Sequence, residues 1–423
     1  MKTWPQPHLP LLPGTGLPVT LKNSQNSQAW TVPQGSQIAL YVCGITPYDA
    51  THIGHAATYI TFDVLNRVLR DSGAKVTYIS NVTDVDDPLL ERANLTGVNW
   101  QDLANEQISL YAEDMTALGV IPPDYYRGVV EIIPGLIESI TRLVTEDKAY
   151  RVLNEVGTYD IYADLSVDAY FARSLNLSET ELEERFTEFG GKLDLAGKRN
   201  RLDPLLWFAE RPGEPSWPGN DVLGAGRPGW HIECAQISLD ASGPELIDIQ
   251  GGGADLCFPH HEMSNSHLRQ LSGNENYRPQ LSLYSGLVAY EGAKMSKSRG
   301  NLVFVSALRR NGVNPMVIRL AILANHYWEN WSWDDALLQA ANSRFELWTK
   351  AFSSNGAKPE TELVDKVRNA LANNLDTVTA LHLVDQWAQE TLLASANNET
   401  EDFSIGAPGV VSRMVDALLG IRF

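Results

Sequence analysis

Apolar and polar positions recur with two different periods along the chain, and the switches between them predict an α/β fold. Residues 38–43 form a short apolar run that predicts a buried strand. Residues 54–71 repeat apolar side chains every three or four positions, which predicts an amphipathic helix. A second apolar run at 76–80 predicts the next strand. Strand, helix and strand in this order predict a parallel βαβ unit.

The same patterns predict further elements, most of them helical after residue 300. Ser178 and Glu181 form a capping-box pair that predicts the start of an acidic helix. Strands are expected at 149–152, 158–161, 245–250 and 281–290. Helices are expected near 99–118, 131–147, 230–239, 260–271, 303–311, 314–325, 333–352, 361–373, 376–395 and 409–420.

These elements predict four regions. The first is an N-terminal arm, 1–36, rich in Pro, Gly, Ser and Gln, with a short hairpin. A nucleotide-binding catalytic domain is expected in two pieces, 37–119 and 229–301, separated by an inserted α/β segment, 120–228. A helical domain, 302–423, completes the chain. The fold class is therefore α/β: a Rossmann-like domain with an insertion and a C-terminal helical bundle.

Composition narrows the functional classes. The 423 residues carry a net charge of −19, which disfavours general binding of nucleic acid. No apolar run has the roughly 20 residues needed to cross a bilayer, and the N-terminus has no apolar core of signal-peptide type. Three cysteines are too few for a disulfide scaffold, so we expect a reducing cytoplasm. Because no apolar run is long enough, we expect no membrane partner. Metal binding stays open.

Two short motifs are suited to phosphate. His52 and His55 lie where the first strand turns into the first helix, and a helix N-terminus presents free N–H groups to an anion. Lys294 and Lys297 flank small residues in a second, distant loop, where their ammonium groups could neutralise a leaving pyrophosphate. Taken alone, the histidine pair is better interpreted as structural, and the lysine pair as part of a solvated surface loop. Together they predict catalytic residues for AMP transfer to a carboxylate.

The chain resembles class I aminoacyl-tRNA synthetases, in particular the cysteinyl-tRNA synthetase branch, over residues 38–301. The resemblance is carried by Tyr41–Gly44, Tyr48–Asp49, His52–His55, Asn81–Asp87, Arg227–Cys234, Gly251–Asp255, Phe258–Glu262 and Lys294–Asn301. It implies the class I synthetase-type (HUP) nucleotide-binding fold, ATP as a substrate and Mg²⁺ as its companion.

Within this branch the chain is most similar to a paralogous family, the cysteine ligases of mycothiol biosynthesis, which join cysteine to glucosaminyl-inositol. The stretch Gly44–Thr58 carries the similarity, with Ala57 where the synthetases usually have arginine. Asp203–Trp207, Arg211–Trp217 and Asn330–Trp333 also fit. The stretch Gly190-Gly-Lys-Leu-Asp194 departs from the Gly-Gly-Asp-Pro element that the ligases often carry.

The resemblance also implies a zinc site made of Cys43, Cys234 and His260. Judged by sequence position alone, both cysteines would more often be buried apolar residues. Two thiolates and one imidazole would leave one position on Zn²⁺ for the thiolate of a cysteine substrate, and a soft metal prefers sulfur to the hydroxyl of serine. Glu262 is a weak candidate for a fourth ligand, since the synthetases' later glutamate is Ser264 here. Cys257 is expected in the core.

The resemblance further implies the walls of the substrate pocket. Asp255 would hold the ammonium group of cysteine by a charge-assisted bond. Trp230 and Val288 could also be ordinary core residues. The full set of residues expected to bind substrate or adenylate is Cys43, Gly44, Ile45, Thr46, Thr58, Asn81, Val82, Thr83, Trp230, Gly253, Ala254, Asp255 and Val288.

The expected reaction has two steps: cysteine and ATP form cysteinyl-adenylate, and the amine of glucosaminyl-inositol then displaces AMP. A base for the amine could be Asp84, Asp86 or Asp87, each of which could instead be structural. Two alternatives stay open, a true cysteinyl-tRNA synthetase and a non-catalytic cysteine- or zinc-binding regulator. The tail is more acidic than basic, which favours small-molecule substrates over nucleic acid. We expect a monomer, by analogy.

Overall fold

The computed structural model describes residues 1–295 and 300–423, with only the backbone of Pro244 and Lys294. The strands in chain order are β1 (Thr20–Lys22), β2 (Ala29–Thr31), β3 (Gln37–Ile45), β4 (Lys75–Val82), β5 (Tyr125–Gly128), β6 (Ala149–Leu153), β7 (Tyr159–Ala163), β8 (Leu205–Ala209), β9 (Gly226–Pro228), β10 (Ile249–Gly253), β11 (Leu281–Ser285), β12 (Val288–Tyr290), β13 (Ala293–Lys294) and β14 (Trp331–Trp333).

Most helices were expected from the apolar periodicity, and α2 was not. The helices are α1 (Ile53–Asp71), α2 (Asp87–Thr96), α3 (Trp100–Leu118), α4 (Val129–Thr145), α5 (Glu179–Glu188), α6 (Trp230–Ser242), α7 (Glu262–Ser272), α8 (Val305–Arg310), α9 (Pro315–Leu323), α10 (Asp335–Phe352), α11 (Thr361–Ala372), α12 (Thr377–Ala396) and α13 (Ala407–Leu419). A π-helical turn, Cys257–His261, precedes α7.

The central sheet is parallel, with the strand order β11-β10-β3-β4-β5. Strand β3 lies in the middle of the sheet, so the chain connections leave it in both directions. Sheets of this kind bind their ligands beyond the carboxyl ends of the strands. Strand β5 pairs with β4 although it lies within the range 120–228 that the sequence assigns to an insertion. The antiparallel sheet β6-β7-β8-β9 belongs to that range. The division of the chain into domains stays a prediction.

Alternate residues of β3 face two different cores. Leu40 and Val42 pack with α1 and the C-terminal helices. Tyr41 and Cys43 pack on the opposite face, with α4, α6 and the inserted sheet. This alternation follows from the twofold side-chain period of a strand. It directs the Cys43 thiol toward α6 and the turn before α7, and away from α1.

A fully buried ionic cluster joins helix α1 to the C-terminal helices. Asp63 on α1 accepts a hydrogen bond of 2.7 Å from Arg67 Nε and another from Arg319 on α9. Burial opposes the ionised carboxylate, yet the two guanidinium groups and the Ile121 N–H hold the pKa of Asp63 below its usual value. Arg319 also donates 2.6 Å to the Leu419 carbonyl oxygen, so the end of α13 is held at the same point.

Two strand predictions needed correction, and glycine explains both. The strand expected at 245–250 is Ile249–Gly253 instead. Gly251 lies inside it because a Cβ there would come within 2.4 Å of the Phe62 ring on α1. The strand expected at 281–290 is broken at Gly286, whose Cβ would come within 2.0 Å of the Glu329 carbonyl oxygen. Its second part, β12, pairs with β13 and β14 in a separate sheet.

The remaining expectations for these elements hold closely. The hairpins β1–β2 and β6–β7 form as expected, and Ser178 caps α5 in a capping box with Glu181. Within residues 1–295 and 300–423, no helix is both long and apolar enough to pass through a bilayer.

Candidate active site

A cavity of ≈ 380 Å³ opens at the carboxyl ends of β3, β10 and β11. This is the position that a doubly wound parallel sheet offers to ligands, and the volume suits a small substrate. One end of the cavity reaches Cys43 and Trp230, and the other reaches His52, His55 and Val288.

Three buried side chains converge at the Cys43 end. The sulfur atoms of Cys43 and Cys234 are 3.9 Å apart, and His260 Nε2 lies 3.4 Å from the first and 3.2 Å from the second. Cys43 lies near the end of β3, Cys234 lies on α6, and His260 lies in the π-helical turn. Residues 191 positions apart thus share one site, and their ligand atoms form a group able to hold a metal ion.

The donor set fits a tetrahedral ion that binds sulfur. Tetrahedral zinc, with Zn–S bonds of about 2.3 Å, sets the sulfur atoms about 3.8 Å apart and sulfur and nitrogen about 3.5 Å apart. The protein's separations lie close to those values before any ion is added. An ion held by these three donors would have one tetrahedral position left, and Cys43 places the group at the cavity wall.

The protonation states suit metal binding. Burial and the neighbouring His231, His261 and His267 lower the pKa of His260 well below its usual value, so the imidazole is neutral. His260 Nδ1 lies 3.0 Å from His231 Nδ1, which directs Nε2 toward the sulfur atoms. The adjacent Cys43 thiol and burial raise the pKa of the Cys234 thiol in the metal-free protein, so metal binding must displace its proton.

Trp230 covers the His260 ring from the cavity side. The two rings are stacked, with centroids 4.0 Å apart and an interplanar angle of 18°. Trp230 is the first residue of α6, and it lines the cavity next to the metal-ligand group. The indole therefore separates one face of the imidazole from the rest of the cavity.

Asn81 fixes the backbone at the end of β3. Its Oδ1 accepts hydrogen bonds of 2.8 Å from Gly44 N–H and 2.9 Å from the Tyr41 hydroxyl, and its Nδ2 donates 3.3 Å to Thr83 Oγ1. Asn81 itself is buried behind the cavity wall. We conclude that it supports Gly44 and Thr83, which do line the cavity.

The two-histidine turn forms the other end of the cavity. His52 is the N-cap of α1, and its Nδ1 accepts a hydrogen bond of 3.4 Å from the His55 N–H. The two rings are stacked with centroids 3.8 Å apart. Burial lowers the pKa of His55 to about 4, so at neutral pH the ring is uncharged and can donate one N–H. Its Nδ1 is buried and has no hydrogen-bond partner within the described part of the chain.

The segment 303–305, which follows the motif with Lys294 and Lys297, is hydrogen-bonded to the two-histidine turn. Ile53 N–H donates 2.9 Å to the Val303 carbonyl oxygen, and Val305 N–H donates 2.9 Å to that of Thr51. The backbone of Lys294 lies in β13, opposite Ala289. The predicted Lys297 lies outside the described residues. The two-histidine turn is therefore hydrogen-bonded to residues 303–305, which follow the second motif along the chain.

The cavity wall between α1, β11 and β12 is lined by small and apolar residues. Thr58 Oγ1 lies 2.7 Å from Ser285 Oγ, which joins α1 to the end of β11. Val288 and Met295 lie together on the wall, and the Met295 N–H donates 3.2 Å to the Val288 carbonyl oxygen. Gly253 is the last residue of β10, and Asp255 lies two residues later in a 3-10 turn.

Most predicted binding residues lie on the cavity wall. These are Cys43, Gly44, Ile45, Thr46, Thr58, Thr83, Trp230, Gly253, Asp255 and Val288. Asn81, Val82 and Ala254 do not line it. Wall residues outside the predicted binding and catalytic sets are Tyr48, Asp49, Ala50, Gly54, Tyr59, Leu256, Ser285, Gly286, Leu287, Met295 and Leu302. Ser285 could have been found from its place at the end of a parallel strand, and Tyr48, Asp49, Gly54 and Met295 lie in stretches that carry the family resemblance. The roles of all these residues stay predictions.

Comparison with known proteins identifies the family. Residues 30–343 match the model of the tRNA synthetases class I (C) catalytic domain. The chain is 54% identical to the L-cysteine:1D-myo-inositol 2-amino-2-deoxy-alpha-D-glucopyranoside ligase of Sanguibacter keddieii, over all of both chains. It is 52% identical to the ligase of the same name from Cellulomonas flavigena, again over all of both chains. The chain belongs to this ligase family.

Solved structures agree on the fold. Methionyl-tRNA synthetase of Mycobacterium tuberculosis, in complex with methionyl-adenylate, superposes with a TM-score of 0.65 at 16% identity, covering 90% of this chain and 92% of that one. The class I synthetase-type α/β fold expected from the sequence is confirmed, including the helical C-terminal part. The chain is an ATP-dependent ligase built on that fold.

In this ligase Glu262, the weak candidate for a fourth metal ligand, and Ser264, which replaces the synthetases' glutamate, both bond to other groups. Glu262 Oε1 accepts 2.9 Å from the Ala172 N–H and lies 3.4 Å from Arg269 Nη2. Ser264 Oγ donates 3.0 Å to the His231 carbonyl oxygen. Cys257, expected in the core, is only half-buried and lies 3.8 Å from Gln25 Nε2.

The candidate bases differ in environment. Burial raises the pKa of Asp84 to about 6 and that of Asp86 to about 7, near the value at which a carboxylate can accept a proton at neutral pH. Asp84 Oδ1 accepts 3.0 Å from the Val130 N–H, and Asp86 Oδ1 accepts 2.8 Å from the Asp87 N–H as the N-cap of α2. Asp87 is exposed and paired with Arg227. These contacts give all three a structural role.

We expect His267→Phe to make the ligase less sensitive to acid. His267 is fully buried on α7, and burial lowers its pKa to about 3. Below pH 6.5 the unfolded chain therefore binds a proton at this position that the folded chain does not. The wild type loses up to about 1.4 kcal/mol per pH unit here as the pH falls from about 6.5 toward 3.

Urea unfolding of both proteins at pH 7 and pH 5 measures this effect. Between the two pH values, the wild type should lose about 2 kcal/mol of unfolding free energy more than the variant. Equal losses in the two proteins would show that His267 is not the group that binds the proton.

Proposed function

We propose that this ligase activates L-cysteine as cysteinyl-adenylate and transfers the cysteinyl group to the amine of glucosaminyl-inositol. Its products would be the amide, AMP and pyrophosphate. The relatives at about half identity are named for this pair of substrates, and they match the chain from end to end. The proposed role is a step of mycothiol biosynthesis.

One juxtaposition carries the proposal. The cavity that meets Cys43 and Trp230 at one end meets His52 and His55 at the other. A thiol held by the metal-ligand group would have its carboxylate extend toward the two-histidine turn. A nucleotide phosphate belongs at that turn because the N-terminus of α1 presents N–H groups and a partial positive charge there.

In the first step a carboxylate oxygen of cysteine attacks the α-phosphorus of ATP, and the bond to the pyrophosphate oxygen breaks. His52 and the neutral His55 would donate N–H hydrogen bonds to the phosphate oxygens as charge shifts between them. Lys294 and Lys297 are proposed to neutralise the leaving pyrophosphate. Mg²⁺ bound with ATP would add positive charge that two lysines do not supply.

In the second step the neutral sugar amine attacks the carbonyl carbon of the adenylate. The bond from that carbon to the phosphate oxygen breaks, AMP leaves, and the nitrogen gives up a proton to a base. Asp86, whose pKa burial raises to about 7, is one candidate for that base, and it lies behind the described cavity wall as the N-cap of α2. Asp84, with a pKa of about 6, is the second candidate.

Zn²⁺ is the metal we propose for Cys43, Cys234 and His260, and when bound it would favour a thiolate over the hydroxyl of serine. The chain's own residues complete the selection. Trp230 closes one face of the pocket, and Asp255 lies on its wall where it can pair with an ammonium group. Without the metal the pocket would separate serine from cysteine poorly, since the two differ by one atom.

The experiment that tests the function offers the purified protein ATP, cysteine and one acceptor. With glucosaminyl-inositol we expect one AMP per amide formed, and with tRNA we expect no transfer. AMP formation that requires tRNA and ignores the amino sugar would replace our proposal by a cysteinyl-tRNA synthetase. Pyrophosphate exchange into ATP that does not depend on cysteine would contradict both. We further propose that the protein is a cytoplasmic monomer without a nucleic-acid partner. Light scattering of the same sample tests the monomer, and the tRNA arm of the assay tests the nucleic-acid partner.

A further inference from the structure

Phe189 lies at the end of α5, in the inserted part of the chain, and its ring stacks on Trp230. The ring centroids are 6.0 Å apart with an interplanar angle of 28°. Trp230 in turn stacks on His260, one of the three metal-ligand residues, at 4.0 Å. Three aromatic rings from three distant segments thus form one continuous stack that ends on the metal-ligand group.

Burial of apolar surface does not account for the position of Phe189. Its side chain keeps 37% of its exposure, unlike Phe186 one turn earlier, which keeps 4%. Phe186 is the residue that anchors α5, because it packs in one apolar cluster with Phe258 and Met263 on either side of His260. Phe189 therefore extends from an anchored helix onto the indole that lines the substrate cavity.

The chain that follows Phe189 is also fixed, so the ring has a defined position. Arg201 pairs with Glu183 of α5 at 2.6 Å and with Asp194 beyond the glycine turn. Lys198 Nζ donates 2.7 Å to the carbonyl oxygens of both Lys192 and Arg201. These ion pairs and hydrogen bonds hold residues 190–194, the stretch that departs from the ligase pattern, against α5.

We propose that Phe189 is a positioning residue for the cysteine pocket: it holds the Trp230 ring against His260 and thereby sets the affinity for the thiol substrate. Stacked aromatic pairs favour an offset, near-parallel arrangement, and a ring stacked against two others has fewer orientations available than a ring stacked against one. Loss of the outer ring leaves Trp230 free to tilt away from His260. The inference rests on the proposed function for the identity of the substrate, and on geometry for everything else.

The test compares Phe189→Leu with Phe189→Trp in the metal-loaded protein. Calorimetry measures cysteine binding directly, and pyrophosphate exchange gives the KM for cysteine and for ATP. We expect Phe189→Leu to weaken cysteine binding and raise the KM for cysteine about fivefold, the size of one aromatic pair. Zinc content and the KM for ATP should stay at wild-type values. Phe189→Trp, which keeps a flat ring, should restore cysteine affinity.

Phe171→Leu is the matched control. Phe171 belongs to the same inserted segment and packs on Phe258 with ring centroids 6.3 Å apart, away from the stack. Wild-type cysteine affinity in Phe189→Leu, or the same loss in Phe171→Leu, would overturn the inference. A wild type that binds cysteine but forms no amide with glucosaminyl-inositol would defeat the proposed function alone, and cysteine affinity would still decide the role of Phe189.

Discussion

Cys234→Ala is expected to lose bound metal and cysteine-dependent use of ATP together. Removing one of three donors leaves Cys43 and His260, and two donors do not hold a tetrahedral ion against solvent. Loss of a residue that only supports a metal ligand costs about 10–100-fold in affinity or activity, so losing a ligand itself should exceed about 100-fold. Metal content by mass spectrometry and pyrophosphate exchange measure the two losses on one preparation.

Cys257→Ala provides the control with the same chemical change. Cys257 is a cysteine outside the metal-ligand group, three residues before His260, and should keep full metal content and activity. Metal retained at one per chain in Cys234→Ala would contradict the ligand assignment. If metal is lost while cysteine-dependent exchange continues, the thiol-selecting role of the site is wrong.

His55→Ala is expected to lower kcat for pyrophosphate exchange about 10²–10³-fold, the usual cost of removing one hydrogen-bond donor aimed at charge that develops in a transition state. The KM for cysteine should change little, because Cys43 and Trp230 lie at the opposite end of the cavity. His55 is uncharged at neutral pH, so the loss is that of a donor and not of a positive charge.

His382→Ala is the matched control, because His382 is an exposed histidine on α12 and should leave the kinetics unchanged. Thermal unfolding shows whether either variant is damaged as a whole. A rise in the KM for cysteine with an unchanged kcat would contradict the phosphate role of His55, since it would place that residue in ground-state binding of the amino acid.

The elements could be predicted from the sequence where one face is apolar and the other polar. Helix α1 and strand β3 follow directly from such periods, and the two-histidine turn follows from the junction between them. The bounds of β10 were predicted wrongly because its glycines, such as Gly251, carry no side chain that would show a strand period. The strand break at Gly286 could not be predicted, because it depends on the close approach of the Glu329 backbone, which is distant in sequence.

The site was less predictable, for a physical reason. Cys43 and Cys234 carry no spacing signal because a parallel sheet joins residues that any length of chain can separate. Resemblance to a known family was needed to pair them. The stack of Phe189 on Trp230 had no sequence signal at all, because it depends on how the inserted segment packs against the rest of the fold.

The two sulfur donors have a consequence for how the chain is made. A ribosome that has synthesised the first must add another 191 residues before the second exists, and His260 follows later still. All three donors exist only once the ribosome has passed residue 260 of 423. The proposed ion can therefore bind no earlier than that point, and molecules made without it would keep the two-histidine turn but lack the proposed selection of the thiol.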